Sequence, residues 1–276
     1  MENVIGLLIL FAPLIFIYGA YRWHLLKEGK AFYFNKIKWG TKINRSRYLE
    51  IDMILKKRIT FYRNLSDDGK AKFVNRLYHL LVVKKFIAKD ELALTEEMKI
   101  VVCAAAVQLT FGLRTYDLDN VKGFYMYPDV FYNRFLKGYL KGSTPQEGLI
   151  SLSWKHLEHG FLIDDDKYNL GLHELAHALK LSTKFAYNFD SRYASYVERW
   201  EQFGHVEFLK MKRGNDSFLR KYGGVNEHEF FAVCVEHFFE VPEKFQYNLP
   251  KIFYHLTILL NIDPLNISGD YRLIKR

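Results

Sequence analysis

The chain has 276 residues, of which 49% are hydrophobic and 17% aromatic, so it can bury the core of one large domain or two small ones. Its formal net charge is +9, and residues 22 to 89 alone hold 18 Lys and Arg against 5 Asp and Glu, a net of +13. This segment accounts for the basic character of the chain without nucleic acid. Because no recognition motif is present, nucleic-acid binding is not expected. The two cysteines lie in apolar helical stretches, which favours buried reduced thiols over a disulfide.

The chain opens with an apolar run from Val4 to Tyr21, 18 residues without a charge. About 20 residues span a bilayer. A cleaved signal peptide would carry Lys or Arg before a shorter apolar core, whereas no basic residue precedes this run. We therefore predict an uncleaved transmembrane anchor over residues 1–22. Since positive flanks stay in the cytoplasm, a single-pass membrane protein with its main domain in the cytoplasm is expected. The basic segment after the anchor, named here the basic collar, is expected to lie against anionic lipid headgroups.

The next stretches predict a connector followed by helices. Residues 23–59 are interpreted as a basic juxtamembrane connector with little periodicity. A helix is expected from Ser66, which can cap it ahead of acidic residues in the first turn. A second helix is expected after Thr95, with an almost uniformly apolar centre over residues 100–109 that indicates burial on most sides.

Two short strands are predicted in the middle of the chain. Residues 122–128 are short and aromatic, and residues 149–154 alternate between apolar and serine side chains. Residues 137–148 between them are rich in Gly, Lys and Ser and predict a loop. The acidic run at 164–166 is interpreted as a solvated turn in preference to a calcium site.

Residues 171–179 read Gly-Leu-His-Glu-Leu-Ala-His-Ala-Leu, which contains the pattern H-E-x-x-H inside an apolar run. On a helix, His173 and His177 point the same way one turn apart and can both bind one metal ion. Glu174 lies beside them, where a carboxylate can take a proton from a water on that metal. Two imidazoles suit Zn²⁺ best. The alternative is a core helix whose histidines bond to backbone carbonyls.

A catalytic zinc needs a third protein ligand. Position 183 is a threonine, so the extended pattern that places a histidine there is not met. Residues 226–242 predict a second apolar helix ending near a proline, with Glu229 and Glu236 on one face. Glu229 can bind the metal and Glu236 can orient a ligand histidine. Glu229 can equally complete a capping arrangement behind Asn226, and periodicity leaves both readings open.

Residues 190–211 and 250–261 each predict one more helix, the second with Pro250 at its first position. There are no internal repeats. Residues 60–276 are therefore expected to form one mostly helical domain with a small sheet.

With both motifs in view, the chain resembles the zinc peptidase family of Mlc titration factor A. The resemblance rests on residues 173–179 and 229–239, with weaker similarity at 125–128 and 148–154. It spans roughly residues 60 to 262. It implies an α+β, mostly helical, gluzincin-like metallopeptidase domain over residues 60–276.

The resemblance also implies roles for particular residues. His173, His177 and Glu229 would be the zinc ligands and Glu174 the general base. Tyr222, seven residues before the ligand glutamate, would donate a hydrogen bond to the oxyanion. The apolar anchor, the basic collar and the stretch between the motif helix and Tyr222 depart from the family pattern, and the last of these would shape the substrate cleft.

The expected function is hydrolysis of a peptide or protein substrate by a membrane-anchored zinc peptidase, with Glu174 as general base toward a zinc-bound water. The alternative is a membrane-tethered, zinc-containing binding or regulatory protein that sequesters a partner without turnover. Structural zinc sites are usually closed by four ligands and rich in cysteine, whereas this chain offers three clear ligands and a base.

Overall fold

The computed structural model describes residues 43–146, 148–185, 191–214 and 218–273. Here the α-helices are α1 Arg45–Arg58, α2 Thr60–Arg63, α3 Asp67–Val83, α4 Glu96–Thr110, α5 Trp154–Leu162, α6 Leu170–Phe185, α7 Ser191–Lys212, α8 Glu227–Glu240, α9 Pro242–Asn248 and α10 Pro250–Leu260. The strands are β1 Lys85–Ala88, β2 Val121–Tyr127, β3 Phe131–Asn133, β4 Gly138–Leu140, β5 Gly142–Ser143 and β6 Gly148–Ser153. Short 3-10 turns occupy Lys221–Gly224 and Ile267–Gly269. The predicted mostly helical fold with a small sheet is confirmed.

The main sheet has the strand order β1-β2-β6-β5. β1 pairs with β2, and β2 with β6, in parallel, while β5 pairs with β6 in antiparallel fashion. The two predicted strands are thus β2 and β6, at the centre of the sheet. β5 forms one edge of this sheet, with Gly142 opposite Leu152 and Ser143 opposite Ser151.

Side-chain caps fix where several helices begin. Ser66 accepts a hydrogen bond from the Gly69 amide at the start of α3, and Thr95 accepts one from the Met98 amide at the start of α4. These bonds satisfy amides that have no partner inside the helix. The sequence-based prediction of helices beginning at Ser66 and Thr95 is therefore confirmed.

The compact unit begins at Ile43, inside the stretch interpreted as a connector. Helix α1 lies there and buries Ile51 and Leu55 completely against the core. Tyr48 and Ile54 are partly buried and pack beside them. The division of the chain into an anchor, a connector and a peptidase domain remains a prediction.

The loop predicted over residues 137–148 contains strands instead. β4 pairs with β3 as a two-stranded antiparallel hairpin, and β5 follows at the edge of the main sheet. These strands could not be predicted from the composition in Gly, Lys and Ser, because each is only two or three residues long. The acidic run at 164–166 does lie in a turn, with Asp164 and Asp165 exposed.

Helices α6 and α8 pack against each other, and α4 also packs against α6. Gly171 allows α6 to approach α5 and α4 closely, since a Cβ there would lie 2.7 Å from Leu157 of α5 and 3.0 Å from Ala105 of α4. Cys103 in α4 and Cys234 in α8 are both free and fully buried, as predicted.

The predicted single-pass membrane localisation is corrected by the structure. No helix in the described parts of the chain is both long enough and apolar enough to cross a membrane. The apolar helix α4 has 15 residues, which rise only about 22 Å against a hydrocarbon core of about 30 Å. The longer helix α7 carries charges along its length. Residues 4–21, on which the prediction rested, lie outside the described residues.

Candidate metal centre

The first side of the site is built by helix α6, whose start is fixed by Asn169. The Asn169 side chain accepts a hydrogen bond from the Leu172 amide at 3.0 Å and donates one to the Gly160 carbonyl at 2.6 Å. Asn169 is buried, so these bonds are shielded from water. They hold the first turn of α6, which carries His173, in a fixed position against α5.

Three side chains from α6 and α8 converge on one point. One donor atom each of His173, His177 and Glu229 lies within 4.8 Å of the others. The two histidine Nε2 atoms are 3.2 Å apart, and Glu229 Oε2 lies 3.0 Å from Nε2 of His173 and 3.4 Å from that of His177. The predicted ligand residues are therefore brought together, with two nitrogens and one carboxylate oxygen facing a common centre.

Glu229 also lies in the first turn of α8, as the alternative of a capping arrangement with Asn226 predicted. Asn226 caps α8 and accepts hydrogen bonds from the amides of His228 and Glu229. The Glu229 carboxylate, however, contacts the two histidines. The cap therefore uses the backbone of Glu229 and leaves its side chain for the cluster.

Glu236 holds His173 from behind. Its Oε1 atom lies 2.7 Å from His173 Nδ1, and its Oε2 atom accepts a hydrogen bond from the Asn169 amide at 2.8 Å. Arg220 forms an ion pair with the same carboxylate, and its guanidinium stacks 3.8 Å above the Tyr168 ring. Such a partner fixes the ring orientation of a metal-binding histidine and keeps Nε2 turned toward the centre.

Within the cluster, the pKa values of His173 and Glu229 are shifted in opposite directions. Burial lowers the pKa of His173, but hydrogen bonds to Glu229 and Glu236 outweigh it and raise that pKa to about 10. Burial also raises the pKa of Glu229, yet its hydrogen bonds to the two histidines hold it well below its usual range. Because a metal binds the deprotonated nitrogen, metal uptake at neutral pH would release a proton from this cluster.

Glu174 lies next to the cluster and is buried, with 6% of its surface exposed. Thr144 holds it, the threonine hydroxyl lying 2.6 Å from Oε2 and 2.9 Å from the backbone oxygen of Glu174. Burial raises the pKa of Glu174, and the nearby histidines His173 and His177 oppose the shift. A carboxylate whose pKa is raised in this way is a better proton acceptor than a free one.

Tyr222 lies in the 3-10 turn that precedes α8. It is half exposed, and its ring centre is 5.9 Å from that of His173. Burial and the neighbouring carboxylates Glu229 and Glu174 raise the pKa of its hydroxyl, so the phenol stays protonated. The tyrosine named by the family resemblance thus stands beside the cluster, where its hydroxyl interacts with the Glu229 carboxylate.

Sequence reasoning missed Asn169, Arg220, Thr144 and Gly142. Asn169 carries a readable signal, because an asparagine directly before an apolar helix is a typical N-cap. Thr144 and Gly142 carry none, since their contacts with Glu174 depend on β5 crossing the start of α6. Arg220 is recognisable only once the turn before α8 is folded.

The chain is similar in sequence to a known family and to several known proteins. The model of the glucose-regulated metallo-peptidase M90 family matches residues 41–259. An uncharacterized protein of Synechocystis sp. is 26% identical over 230 residues, covering 77% of this chain and 83% of that protein. Mlc titration factor A of Yersinia enterocolitica is 25% identical over 256 residues, covering 83% of this chain and 92% of that protein.

Mlc titration factor A of Edwardsiella ictaluri is 24% identical over 224 residues, covering 73% of this chain and 83% of that protein. The family match extends across both motifs, from before α1 to the last turn of α10. The chain belongs to the glucose-regulated metallo-peptidase M90 family.

Proposed function

We propose that this protein is a zinc-dependent peptidase of the gluzincin type that hydrolyses peptide bonds. The observation that carries the proposal is the convergence of His173, His177 and Glu229 within 4.8 Å, with Glu174 beside them. His173 and Glu174 are largely buried, and burial of so many ionisable groups is costly unless a cation is present.

The donor set fits zinc. Two imidazole nitrogens and one carboxylate oxygen are the protein ligands of a catalytic zinc site, which keeps a further position for water or substrate. Glu236 supplies the carboxylate behind His173 that such sites use to orient a ligand. When bound, zinc would supply Lewis acidity and lower the pKa of a coordinated water toward 7.

Three residues of the chain would then have separate roles in hydrolysis. Glu174 would accept a proton from the attacking water at its carboxylate and pass it to the leaving amine. Tyr222 would donate its hydroxyl hydrogen to the developing oxyanion. Thr144 would hold the Glu174 carboxylate in place through its hydroxyl.

An extended substrate would pair with the edge of the sheet. The strand β6 is not such an edge, because it lies between β2 and β5. β5, which contacts α6 and adjoins Glu174, takes that position instead. Its outer side has no strand partner among the described residues.

Glu174→Gln tests the proposal. Because glutamine cannot accept the proton, hydrolysis of a panel of chromogenic peptide substrates should fall at least about 100-fold. The metal content, measured by mass spectrometry, should stay equal to that of the wild type because Glu174 is not among the three donors. Glu243→Gln, an exposed position on α9, is the matched control and should keep full activity. Equal turnover by Glu174→Gln and wild type would contradict the proposal.

A second function, sequestration of a partner without turnover, is favoured by the name of two relatives, Mlc titration factor A. Under this alternative the metal would serve structure only. Folded, zinc-loaded wild type that hydrolyses no peptide, and retains a binding partner equally well with and without metal, would support sequestration over hydrolysis.

A further inference from the structure

We propose that the β3–β4 hairpin is an accessory docking surface for acidic, apolar segments of a polypeptide substrate. This surface, named here the basic hairpin, comprises residues 130–141. The inference rests on the proposed peptidase function and extends it from the reaction to the class of substrate. Four properties of the hairpin carry it: its fixed fold, its exposed apolar side chains, its charge and its connection to the site.

The basic hairpin is held rigidly at its base. Phe131 is buried and stacks on Tyr127, with ring centres 4.2 Å apart. At the tip, the Asn133 side chain accepts hydrogen bonds from the amides of Phe135 and Leu136. Binding to a fixed surface avoids the entropic cost of ordering a loop, so this hairpin is preorganised for a partner.

The outer face and tip of the basic hairpin are apolar and exposed. Phe135 is 97% exposed and Leu136 69%, at adjacent positions of the tip. Tyr132 and Tyr139 stand opposite each other across the strands, 54% and 73% exposed. Contiguous exposed apolar side chains mark interaction sites, and aromatic residues are enriched in their centres.

The charge of the basic hairpin selects the partner. Residues 130–141 contain three cations, Arg134, Lys137 and Lys141, and no acidic residue, a net of +3. All three are exposed, and none forms an ion pair with a described residue. An apolar surface rimmed by unpaired cations is complementary to a segment that carries carboxylates beside apolar side chains.

The basic hairpin leads directly into the site. Lys141 ends it, and its carbonyl accepts a hydrogen bond from the Ser153 amide of the central sheet at 2.8 Å. The next residue, Gly142, begins β5 and lies against Glu174. A substrate paired along β5 would therefore continue across the basic hairpin, which favours a polypeptide substrate as its occupant.

The test measures binding by full-length, zinc-loaded protein carrying Glu174→Gln, which prevents cleavage during the measurement. The probe is a fluorescein-labelled dodecapeptide with alternating Glu and Leu, compared with one in which Lys replaces Glu. Fluorescence anisotropy gives Kd for this background and for the same background with Phe135→Ser and Leu136→Ser. Tyr247→Ser, on a residue 87% exposed in α9, is the matched control.

The hairpin variant should bind the acidic peptide about tenfold more weakly, while Tyr247→Ser binds it normally. Arg134→Ser with Lys137→Ser should also weaken binding and reduce its dependence on salt. The Lys-containing peptide should bind weakly throughout. Equal affinity of the hairpin variant and its background for the acidic peptide would overturn the proposal.

Two further readouts identify any other occupant. If the hairpin substitutions abolish self-association in light scattering but not peptide binding, the surface holds a second copy of the chain. If they abolish binding to anionic vesicles but not to the peptide, it contacts lipid. Either result overturns the substrate proposal.

Hydrolysis separates this inference from the proposed function. In protein with Glu174 intact, the hairpin substitutions should raise KM for the acidic dodecapeptide about tenfold and leave turnover of short chromogenic substrates unchanged. Wild type that cleaves neither would contradict the peptidase function, whereas the anisotropy comparison would still decide whether the basic hairpin binds acidic polypeptide.

Discussion

Gly142 occupies a position of the candidate site where no side chain fits. A Cβ atom there would lie 2.3 Å from Oε1 and 2.6 Å from Cδ of Glu174. The edge strand and the carboxylate are thus in direct contact, and Thr144, the residue directly after the strand, donates a hydrogen bond to the same carboxylate. Backbone and hydroxyl together fix where this group can take up a proton.

Gly142→Ala should therefore displace the Glu174 carboxylate and lower kcat/KM for chromogenic peptides about 10- to 100-fold. Metal content should not change, because the atoms nearest to a Cβ at position 142 belong to Glu174 and not to one of the three donor residues. Gly138→Ala is the control, since the nearest heavy atom to a Cβ there is 3.8 Å away. An alanine at 142 that left kcat/KM at the wild-type value would show that this contact does not position Glu174.

For single residues, the sequence predicts the sites that depend on spacing within one helix and misses those that depend on contacts between residues far apart in the chain. His173, Glu174 and His177 are recognisable because four-residue spacing on a helix determines their direction. The pairing of Glu236 with His173 follows from the face of α8. The role of Gly142 could not be predicted, because it depends on a contact between the strand β5 and Glu174. Positions 142 and 174 are 32 residues apart in the chain.

At the scale of elements, the start of α6 determines how the site is held. Asn169 joins three parts of the fold: its side chain bonds to α6 and to the Gly160 carbonyl of α5, and its amide bonds to Glu236 of α8. One residue thus links the helix that carries the histidines to both of its neighbours.

Asn169→Ala should lower the free energy of unfolding by about 2 kcal/mol, since it removes a cap and leaves the buried Gly160 carbonyl without this donor. Thr95→Ala removes the cap of α4, which makes one bond of 3.3 Å near the surface, and should cost less, about 0.5–1 kcal/mol. Urea titrations of both variants check this order. A loss for Asn169→Ala no greater than for Thr95→Ala would contradict it.

Helices that have a capping residue or a proline at their start, followed by an apolar pattern, were predictable from the sequence, whereas elements without these features were not. α3, α4, α8 and α10 have caps or a starting proline next to apolar patterns. In α1 the apolar residues Leu49 and Met53 are exposed and stand between those that pack on the core, so its sequence shows no single apolar stripe. The short strands β3 to β5 owe their existence to pairing, which no short window of sequence contains.

At the scale of the whole molecule, Glu240 makes stability depend on pH. It lies at the end of α8, where burial and the negative charges of Asp166 and Glu236 raise its pKa to about 9. In the unfolded chain its pKa returns to about 4.5. Between these values the folded state holds a proton that the unfolded state has lost, so this group lowers the free energy of unfolding as pH rises.

Glu240→Gln should remove this effect. The variant should match the wild type near pH 4.5 and become the more stable protein as pH rises toward 9, by at least about 1 kcal/mol at pH 8. Urea titrations across this range measure the difference. Glu243→Gln, exposed on the neighbouring helix α9, should differ from the wild type by an amount independent of pH. A stability difference for Glu240→Gln that stays constant with pH would contradict the prediction.

The two buried thiols offer a view of how the molecule opens. Cys103 and Cys234 lie in α4 and α8, each of which packs against the helix that carries the histidines, and burial raises the pKa of both. An alkylating reagent needs an exposed thiolate, so each cysteine can react only when its own helix separates from the core. Comparing the two alkylation rates, with and without added zinc, would tell which of the two helices separates first and whether metal binding makes them open together.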